Sequence, residues 1–171
     1  SSKFGTVNGK KGEKVTVLSG NLADPETLVK TTFSIRGEGV GELIFNGLIY
    51  DLVVNGTNQE SRVIAESDGS DTRPIRHITA STPIDFIDLE RLDVTCNITL
   101  SGGLSKLIVR DLGSGTAVDS LVTIGAGLGE MEYLGLREAK DVDLTASGGI
   151  KKLDIFGQWS DANGSDDVIT A

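Results

Sequence analysis

The sequence predicts an all-β protein, a parallel β-helix (β-solenoid) preceded by a less regular β-rich N-terminal part. A short motif recurs five times along the chain, and apolar residues alternate with polar ones around it. Glycine accounts for 22 of the 171 residues, well above the average of about 7%. Strong helix formers are concentrated nowhere. Together these observations favour short strands joined by tight corners.

The recurring motif reads apolar, Thr, apolar, Ser or Gly, two turn residues, apolar. Its threonines are Thr79, Thr99, Thr123, Thr145 and Thr170. A second motif, apolar-x-x-Leu-x-apolar, begins at Leu89, Leu104, Met131 and Ile150. Two short strands within one such repeat fit one coil of a solenoid, in which each coil stacks on the previous one at about 4.8 Å.

Strict alternation of apolar and polar residues from Leu92 to Leu100 is typical of a half-buried strand, so we expect one uninterrupted strand there. A slip of one residue would expose its whole apolar set, so the register is tightly specified. The same parity places Val142, Leu144 and Ala146 inside. It places Asp141, Asp143 and the repeated threonines outside.

Residues 1–72 lack the repeats and are expected to form a β-rich cap of hairpins. Asn46-Gly47 and Asn55-Gly56 each follow an apolar run, which is a strong hairpin signal. Asp24-Pro25 predicts a single helical turn. The polar stretch 68–71 predicts a boundary with the coils of residues 73–171, unless the two parts form one continuous domain. The hairpin signals leave an antiparallel β-sandwich as the alternative fold.

Composition excludes several function classes. A net charge of −9 argues against a nucleic-acid partner, because such binding depends on clustered Lys and Arg. A single Cys excludes an internal disulfide framework and a Cys-based zinc site. No apolar run approaches the roughly 20 residues of a membrane span, so we expect no membrane insertion.

A candidate Ca²⁺ loop lies near the C-terminus, where oxygen-bearing side chains occupy alternate positions. Hard carboxylate and amide oxygens are the ligands that Ca²⁺ prefers. The loop lacks the sixth-position Gly and the distal Glu of an EF-hand, and loops of this composition also form turns without a metal. No other cofactor is expected. The candidate ligands are Asp161, Asn163, Ser165 and Asp167.

No catalytic residue is expected, and the chain is interpreted as a non-enzyme. His77 has no second His as a partner, which favours a solvated surface position. Cys96 lies on the inward parity and is interpreted as a small core residue. Acidic side chains could still line a carbohydrate-processing face, although acidic rows in a chain of this charge are usually solvating. They are Asp85, Asp88, Glu90 and Asp93, with Asp141 and Asp143 in a neighbouring row.

Three features of the sequence resemble those of a known group of proteins. They are Thr-Phe-Ser-Ile-Arg-Gly-Glu-Gly-Val-Gly at 32–41, Leu-Val-Val-Asn-Gly-Thr at 52–57 and the Thr/Ser-Gly-Gly coils. From about residue 32 onward the chain resembles segments of large β-strand-repeat proteins, predicted to be secreted or on the cell surface of planctomycete-like bacteria. The resemblance implies a parallel β-helix with an extracellular structural or adhesive role. That family has no agreed catalytic residues, so it implies none here.

The residues Val168 to Ala171 repeat the inner-strand motif without a polar cap after it. An open coil exposes unpaired backbone groups and an apolar surface. We therefore expect an extracellular or cell-surface structural protein that stacks end to end with other copies of itself, or forms part of a longer surface array or filament. The alternative is a carbohydrate-active or carbohydrate-binding β-helix with surface polysaccharide as its partner. In that case Trp159 or Tyr133 would lie exposed beside convergent carboxylates.

Overall fold

A computed structural model describes residues 1–114 and 118–171, and strands dominate it. The predicted helical turn is confirmed as a short 3-10 helix, Pro25–Thr27. The strands in the described residues are β1 (Ser2–Val7), β2 (Lys10–Glu13), β3 (Val15–Ser19), β4 (Val29–Arg36), β5 (Val40–Asn46), β6 (Ile49–Asn55), β7 (Arg62–Ser67), β8 (Ile75–Ala80), β9 (Ile84–Leu89), β10 (Ile98–Leu100), β11 (Leu104–Val109), β12 (Asp111–Leu112), β13 (Ser120–Ile124), β14 (Tyr133–Leu136), β15 (Glu138–Lys140), β16 (Val142–Ala146), β17 (Leu153–Ile155), β18 (Trp159–Ser160) and β19 (Ile169–Thr170).

Two main sheets and one small sheet carry the fold. Their strand orders are β19-β16-β13-β10-β8-β6-β5-β1-β2, β17-β14-β11-β9-β7-β4-β3 and β12-β15-β18. From β8 onward the chain visits the sheets in turn and pairs in parallel with its previous visit. This confirms the predicted β-solenoid, with about five turns, rather than an antiparallel sandwich. Among the described residues, no helix has the length and apolarity to cross a membrane.

The repeated threonines form one ladder along the nine-stranded sheet. Thr79, Thr99, Thr123, Thr145 and Thr170 pair in register from coil to coil, and all five are exposed, as predicted. The residue before each Thr points inward, so these residues form an apolar row beneath the ladder. This first row is Ile78, Ile98, Val122, Leu144 and Ile169, and it continues into β6 at Leu52, which pairs with Ile78.

A second apolar row runs along the seven-stranded sheet. Its members are Val63, Ile87, Leu107, Leu134 and Leu153. The predicted copy of the second motif at Leu89 is wrong, because Ile84, Ile87 and Leu89 are the residues that pair with Leu104, Leu107 and Val109. The row requires an apolar side chain of suitable volume rather than Leu itself. The copy at 84–89 has Ile87 in place of the central Leu, so a search for that Leu does not find it.

The uninterrupted strand predicted over 92–100 is also wrong. Only β10 is a strand there, and the chain turns a corner before it. Leu92 and Val94 are nevertheless buried, and Val94 forms isolated parallel bridges to Ile75 and Leu112 on the neighbouring coils. The alternation therefore marks inward and outward positions along a bent path, which a period of two cannot distinguish from a straight strand.

The N-terminal part consists mainly of antiparallel pairs. The predicted hairpin at Asn46-Gly47 is present between β5 and β6. The hairpin predicted at Asn55-Gly56 is wrong, because β6 and β7 lie in different sheets. The hydroxyl of Thr82, on the next coil, accepts a hydrogen bond from the Thr57 amide and shares another with the Thr57 hydroxyl. The turn is thereby tied to the next coil.

One hydrophobic cluster extends from Phe4 to Ala146 and fills the space between the two main sheets. At the N-terminal end it is aromatic, with ring centroids 5.6 Å apart for Phe4 and Phe33 and 5.9 Å apart for Phe33 and Tyr50. Within the coils it becomes aliphatic. The larger rings fill the space enclosed by the antiparallel strands, and the stacked Ile, Leu and Val side chains fill the coils.

Candidate metal centre

Asp119, Asp141 and Asp167 converge at one corner of the last three coils. Each carboxylate offers one oxygen, and these oxygens lie within 4.8 Å of one another. Asp119 and Asp141 immediately precede β13 and β16, and Asp167 lies two residues before β19. Because these strands are neighbours in the nine-stranded sheet, parallel stacking brings the three side chains together. We call this group the aspartate triad.

Asp141 lies inside, so the outward position predicted from its parity is wrong. The residue is only 1% exposed, and its φ of 55° turns the backbone into the left-handed region, which Asp tolerates better than most residues. Its Oδ1 accepts hydrogen bonds from the backbone N–H groups of Ala162 (2.6 Å) and Asn163 (3.0 Å). The carboxylate therefore fastens the 161–167 loop to the preceding coil.

The predicted Ca²⁺ ligands take different positions around the triad. Asp167 belongs to it, and its Oδ2 accepts a hydrogen bond of 3.0 Å from Trp159 Nε1. Asn163 Nδ2 and Ser165 Oγ donate to the two oxygens of Asp119, at 2.6 and 2.8 Å. Asp161 closes a turn by accepting from the Gly164 amide at 2.9 Å.

Sequence reasoning missed Asp119 and did not connect Asp141 with the loop, because the three aspartates are far apart in the chain. A signal was present in the repeat. Asp119 and Asp141 each lie four residues before a threonine of the ladder, so the repeat gives them equivalent positions in consecutive coils.

The donors to the triad carboxylates within residues 1–114 and 118–171 include the Trp159 indole, the Asn163 amide and the Ser165 hydroxyl, all neutral. None of the ion pairs in these ranges includes a triad carboxylate. Elsewhere on the solenoid, aspartates are paired with arginines from neighbouring coils. These pairs are Asp51–Arg76, Asp85–Arg62, Asp93–Arg110 and Asp111–Arg137. Those four aspartates are each offset by an arginine. The negative charge of the triad is not offset by an ion pair among the described residues.

Burial raises the pKa of Asp167, and the nearby carboxylates of Asp119 and Asp141 raise it further. Hydrogen bonds from the Val142 backbone and Trp159 act in the opposite direction. The site thus disfavours ionised Asp167 unless a positive charge lies beside it. Three carboxylates at one corner are hard oxygen ligands, suited to a hard divalent cation.

Of the acidic residues considered for carbohydrate chemistry, only Asp88 and Glu90 line a common pocket in the part of the chain that the structure describes, together with Glu66. Asp85 and Asp93 are bound by arginines, the latter through both oxygens at 2.7 and 2.8 Å. Burial raises the pKa of Asp88, whose Oδ1 accepts from the Glu90 amide. Glu90 itself is exposed. Asp143 accepts a hydrogen bond of 2.9 Å from the Val168 amide and so supports β19.

A groove of about 460 Å³ crosses the outer face of the seven-stranded sheet. Its lining includes Tyr133, Phe156, Arg110 and Arg137. Of the described residues that line it, Glu90 alone is a carboxylate, whereas glycoside hydrolases use a pair. Trp159 does not line it, because its indole is half-buried and bonded to Asp167.

His77 and Cys96 lie outside the triad. His77 is half-buried, and its Nδ1 accepts a hydrogen bond of 3.1 Å from the Asn97 amide on the next coil. Cys96 is also half-buried, so it is less enclosed than the expected core position.

Comparison of the chain with protein-family models, with curated proteins and with solved structures gives no match.

Proposed function

We propose that this chain is a structural β-solenoid, extracellular or on the cell surface, whose last coil stacks on a second copy of the same chain. The supporting observation is that the two inward apolar rows become exposed to solvent at that coil. In the first row the residues up to Leu144 are buried, whereas Ile169 is 46% exposed. In the second row Leu134 is buried and Leu153 only half-buried. An exposed apolar row beside unpaired strand edges is a template for another strand.

Charge supports contact between opposite ends rather than like ends. Residues 1–22 contain four lysines and one glutamate, whereas residues 153–171 contain four aspartates and no Lys or Arg. Lys10 and Lys11 lie on β2, the outermost strand at the N-terminal end, where they pair with Glu13 and Glu38. Among the described residues, Lys3 and Lys14 are exposed at the same end without an ion pair, so they carry its net positive charge. The basic N-terminal residues of one copy attract the acidic C-terminal residues of another, whereas two acidic C-terminal regions repel each other. We call these regions the head and the tail. A head-to-tail contact that does not close into a ring propagates into a filament.

The proposed mechanism is backbone pairing between terminal strands together with burial of Ile169 and its neighbours. The acidic exterior of the solenoid keeps its sides apart, so that growth is directed along the axis. The proposed location outside the cell is supported by the resemblance to secreted and cell-surface β-strand-repeat proteins. Antibody labelling of intact cells tests the location, with permeabilised cells as the comparison.

Sedimentation velocity over a wide range of protein concentrations tests the end-to-end contact. We expect the wild type to form larger species as concentration rises. Ile169→Lys should abolish them with little loss of stability, because the side chain is already half-exposed. Thr123→Lys is the matched control, since Thr123 is an exposed member of the same sheet in the middle of the stack. A wild type that stays monomeric, or an Ile169→Lys protein that assembles normally, contradicts the proposal.

The groove on the seven-stranded sheet favours one second candidate, carbohydrate binding without hydrolysis. Phe156 is 76% exposed at its edge, and an exposed ring can stack on the apolar face of a sugar. Calorimetric titration with neutral and acidic oligosaccharides tests this candidate. Binding that is lost in Phe156→Ala supports it, and absence of heat with both sugar classes contradicts it.

A further inference from the structure

We propose that the aspartate triad binds one Ca²⁺ ion, which joins the last coil to the two coils before it. The inference is independent of end-to-end stacking, because the ligands all come from one copy. The ion would bridge three successive strands, β13, β16 and β19, through the residues that precede them.

The proposal rests on buried carboxylate oxygens without partners, in addition to the clustering of charge. Among the described residues, four buried side-chain oxygens accept or donate no hydrogen bond, and two of them are Asp141 Oδ2 and Asp167 Oδ1. The other two are neutral hydroxyls, on Thr6 and Tyr50. Leaving a buried ionised oxygen unpaired is far more costly than leaving a hydroxyl unpaired. Both unpaired carboxylate oxygens, Asp141 Oδ2 and Asp167 Oδ1, belong to the triad.

The donor type and the spacing both suit Ca²⁺. Ca²⁺ binds oxygen ligands at about 2.3–2.6 Å, so two oxygens on one ion can be at most about 5 Å apart. The three triad oxygens, all within 4.8 Å of one another, satisfy that limit. Mg²⁺ requires shorter bonds of about 2.0–2.1 Å in strict octahedral geometry, and Zn²⁺ favours nitrogen and sulfur ligands. The set also holds enough negative charge to attract a divalent ion.

Trp159 provides a direct optical test. It is the only tryptophan of the chain, and its Nε1 lies 3.0 Å from Asp167 Oδ2. Tb³⁺ replaces Ca²⁺ at oxygen sites and emits light when an adjacent excited indole transfers energy to it. We expect Trp-sensitised Tb³⁺ emission from the wild type, and we expect added Ca²⁺ to displace it. Calorimetric titration with Ca²⁺ and, separately, with Mg²⁺ measures the affinities without the probe.

Asp141→Asn should weaken Ca²⁺ binding by more than about tenfold. The amide oxygen of Asn can still accept from Ala162 and Asn163, so the loop should keep its position. Asp161→Asn is the matched control, because it removes the same charge from the neighbouring loop at a residue outside the triad. It should bind Ca²⁺ nearly as the wild type does.

Four results would overturn the proposal: no Ca²⁺ binding by the wild type, equal losses in Asp141→Asn and Asp161→Asn, a preference for Mg²⁺, or a triad whose charge is relieved by protonation alone. The last would show as pH-dependent stability that Ca²⁺ does not change. If Asp141→Asn does not fold, Asp119→Asn gives the same comparison, because Asp119 accepts from the loop side chains of Asn163 and Ser165, whereas Asp141 accepts from the loop backbone.

Discussion

At the scale of single residues, Tyr50 has a buried phenolic hydroxyl without a hydrogen-bond partner. Its ring packs well, with centroids 5.5 Å from Phe45 and 5.9 Å from Phe33. Burial raises the pKa of the hydroxyl far above its usual value near 10. Packing of the Tyr50 ring therefore stabilises the fold, whereas burial of its unpaired hydroxyl destabilises it.

Tyr50→Phe should raise the free energy of unfolding by about 1 kcal/mol, because it removes the unsatisfied oxygen and keeps the ring. The folded-state pKa lies above the unfolded one, so wild-type stability falls as pH rises past about 10, where only the unfolded state loses its proton. Urea titrations at neutral and alkaline pH measure both effects. A variant less stable than the wild type at neutral pH would show that the hydroxyl has a partner.

Asp51 and Arg76 form a two-bond ion pair between β6 and β8, with distances of 2.9 and 2.6 Å. The guanidinium lowers the pKa of Asp51. The pair therefore stabilises the fold above the unfolded-state pKa of about 3.9, and this contribution is lost as pH falls through the lower folded-state pKa. Both side chains are partly solvated, so the contribution is small.

Asp51→Asn should cost about 0.5–1 kcal/mol of stability at neutral pH, and the difference from the wild type should vanish in strong acid. Denaturant titrations at the two pH values measure it. Glu38→Gln is the control, since the Lys11–Glu38 pair is exposed and should contribute almost nothing. An Asp51→Asn deficit that persists unchanged in acid would show that the charge is not its cause.

At the scale of elements, the corners decide how closely the coils stack. Gly125 follows β13, and a Cβ built there would lie 2.3 Å from the carbonyl oxygen of Ser101 on the preceding coil. The backbones can approach this closely only without a side chain. Gly129 occupies a nearby corner with nothing within 4 Å of its Cβ position, and its φ of 73° lies in the region that favours glycine.

Gly125→Ala should therefore cost about 3 kcal/mol, because backbone must move to accept the methyl group. Gly129→Ala should cost about 1 kcal/mol, from the left-handed backbone alone. Thermal and urea unfolding of the two variants compare them under the same conditions. Equal losses would show that coil-to-coil contact at this corner is not tight.

Some of these elements follow from the sequence alone and others do not. The threonine ladder and its apolar row were predictable, because each coil repeats the same inward and outward positions. The corner at residues 92–97 was not, since bent and straight paths share the same alternation. Asn55-Gly56 carried a true turn signal, but the choice between a hairpin and a crossing to the other sheet depends on contacts such as Thr57 with Thr82.

The candidate site was predictable only in part, for the same reason. Local spacing identified the 161–167 loop and one triad member, Asp167. Asp119 and Asp141 become neighbours only when the coils are stacked in the correct register, and parity placed Asp141 on the wrong face. An unusual φ at a single residue reverses a side chain without leaving a mark in the periodic pattern.

At the scale of the whole molecule, the two ends differ. One edge of the nine-stranded sheet is the antiparallel strand β2, and the opposite edge is β19, where Ile169 is exposed beside acidic residues. Between these edges the inward apolar rows are buried from coil to coil. The asymmetry gives the molecule a polarity along its axis, which is the property that head-to-tail stacking requires.

Electron microscopy of the concentrated protein tests this account most directly. The nine-stranded sheet, at about 4.8 Å per strand, gives each copy an axial length of about 40 Å. We predict unbranched threads with that repeat, and their disappearance in Ile169→Lys but not in Thr123→Lys. Discrete single particles at every concentration, from a wild type that is fully folded, would contradict the account.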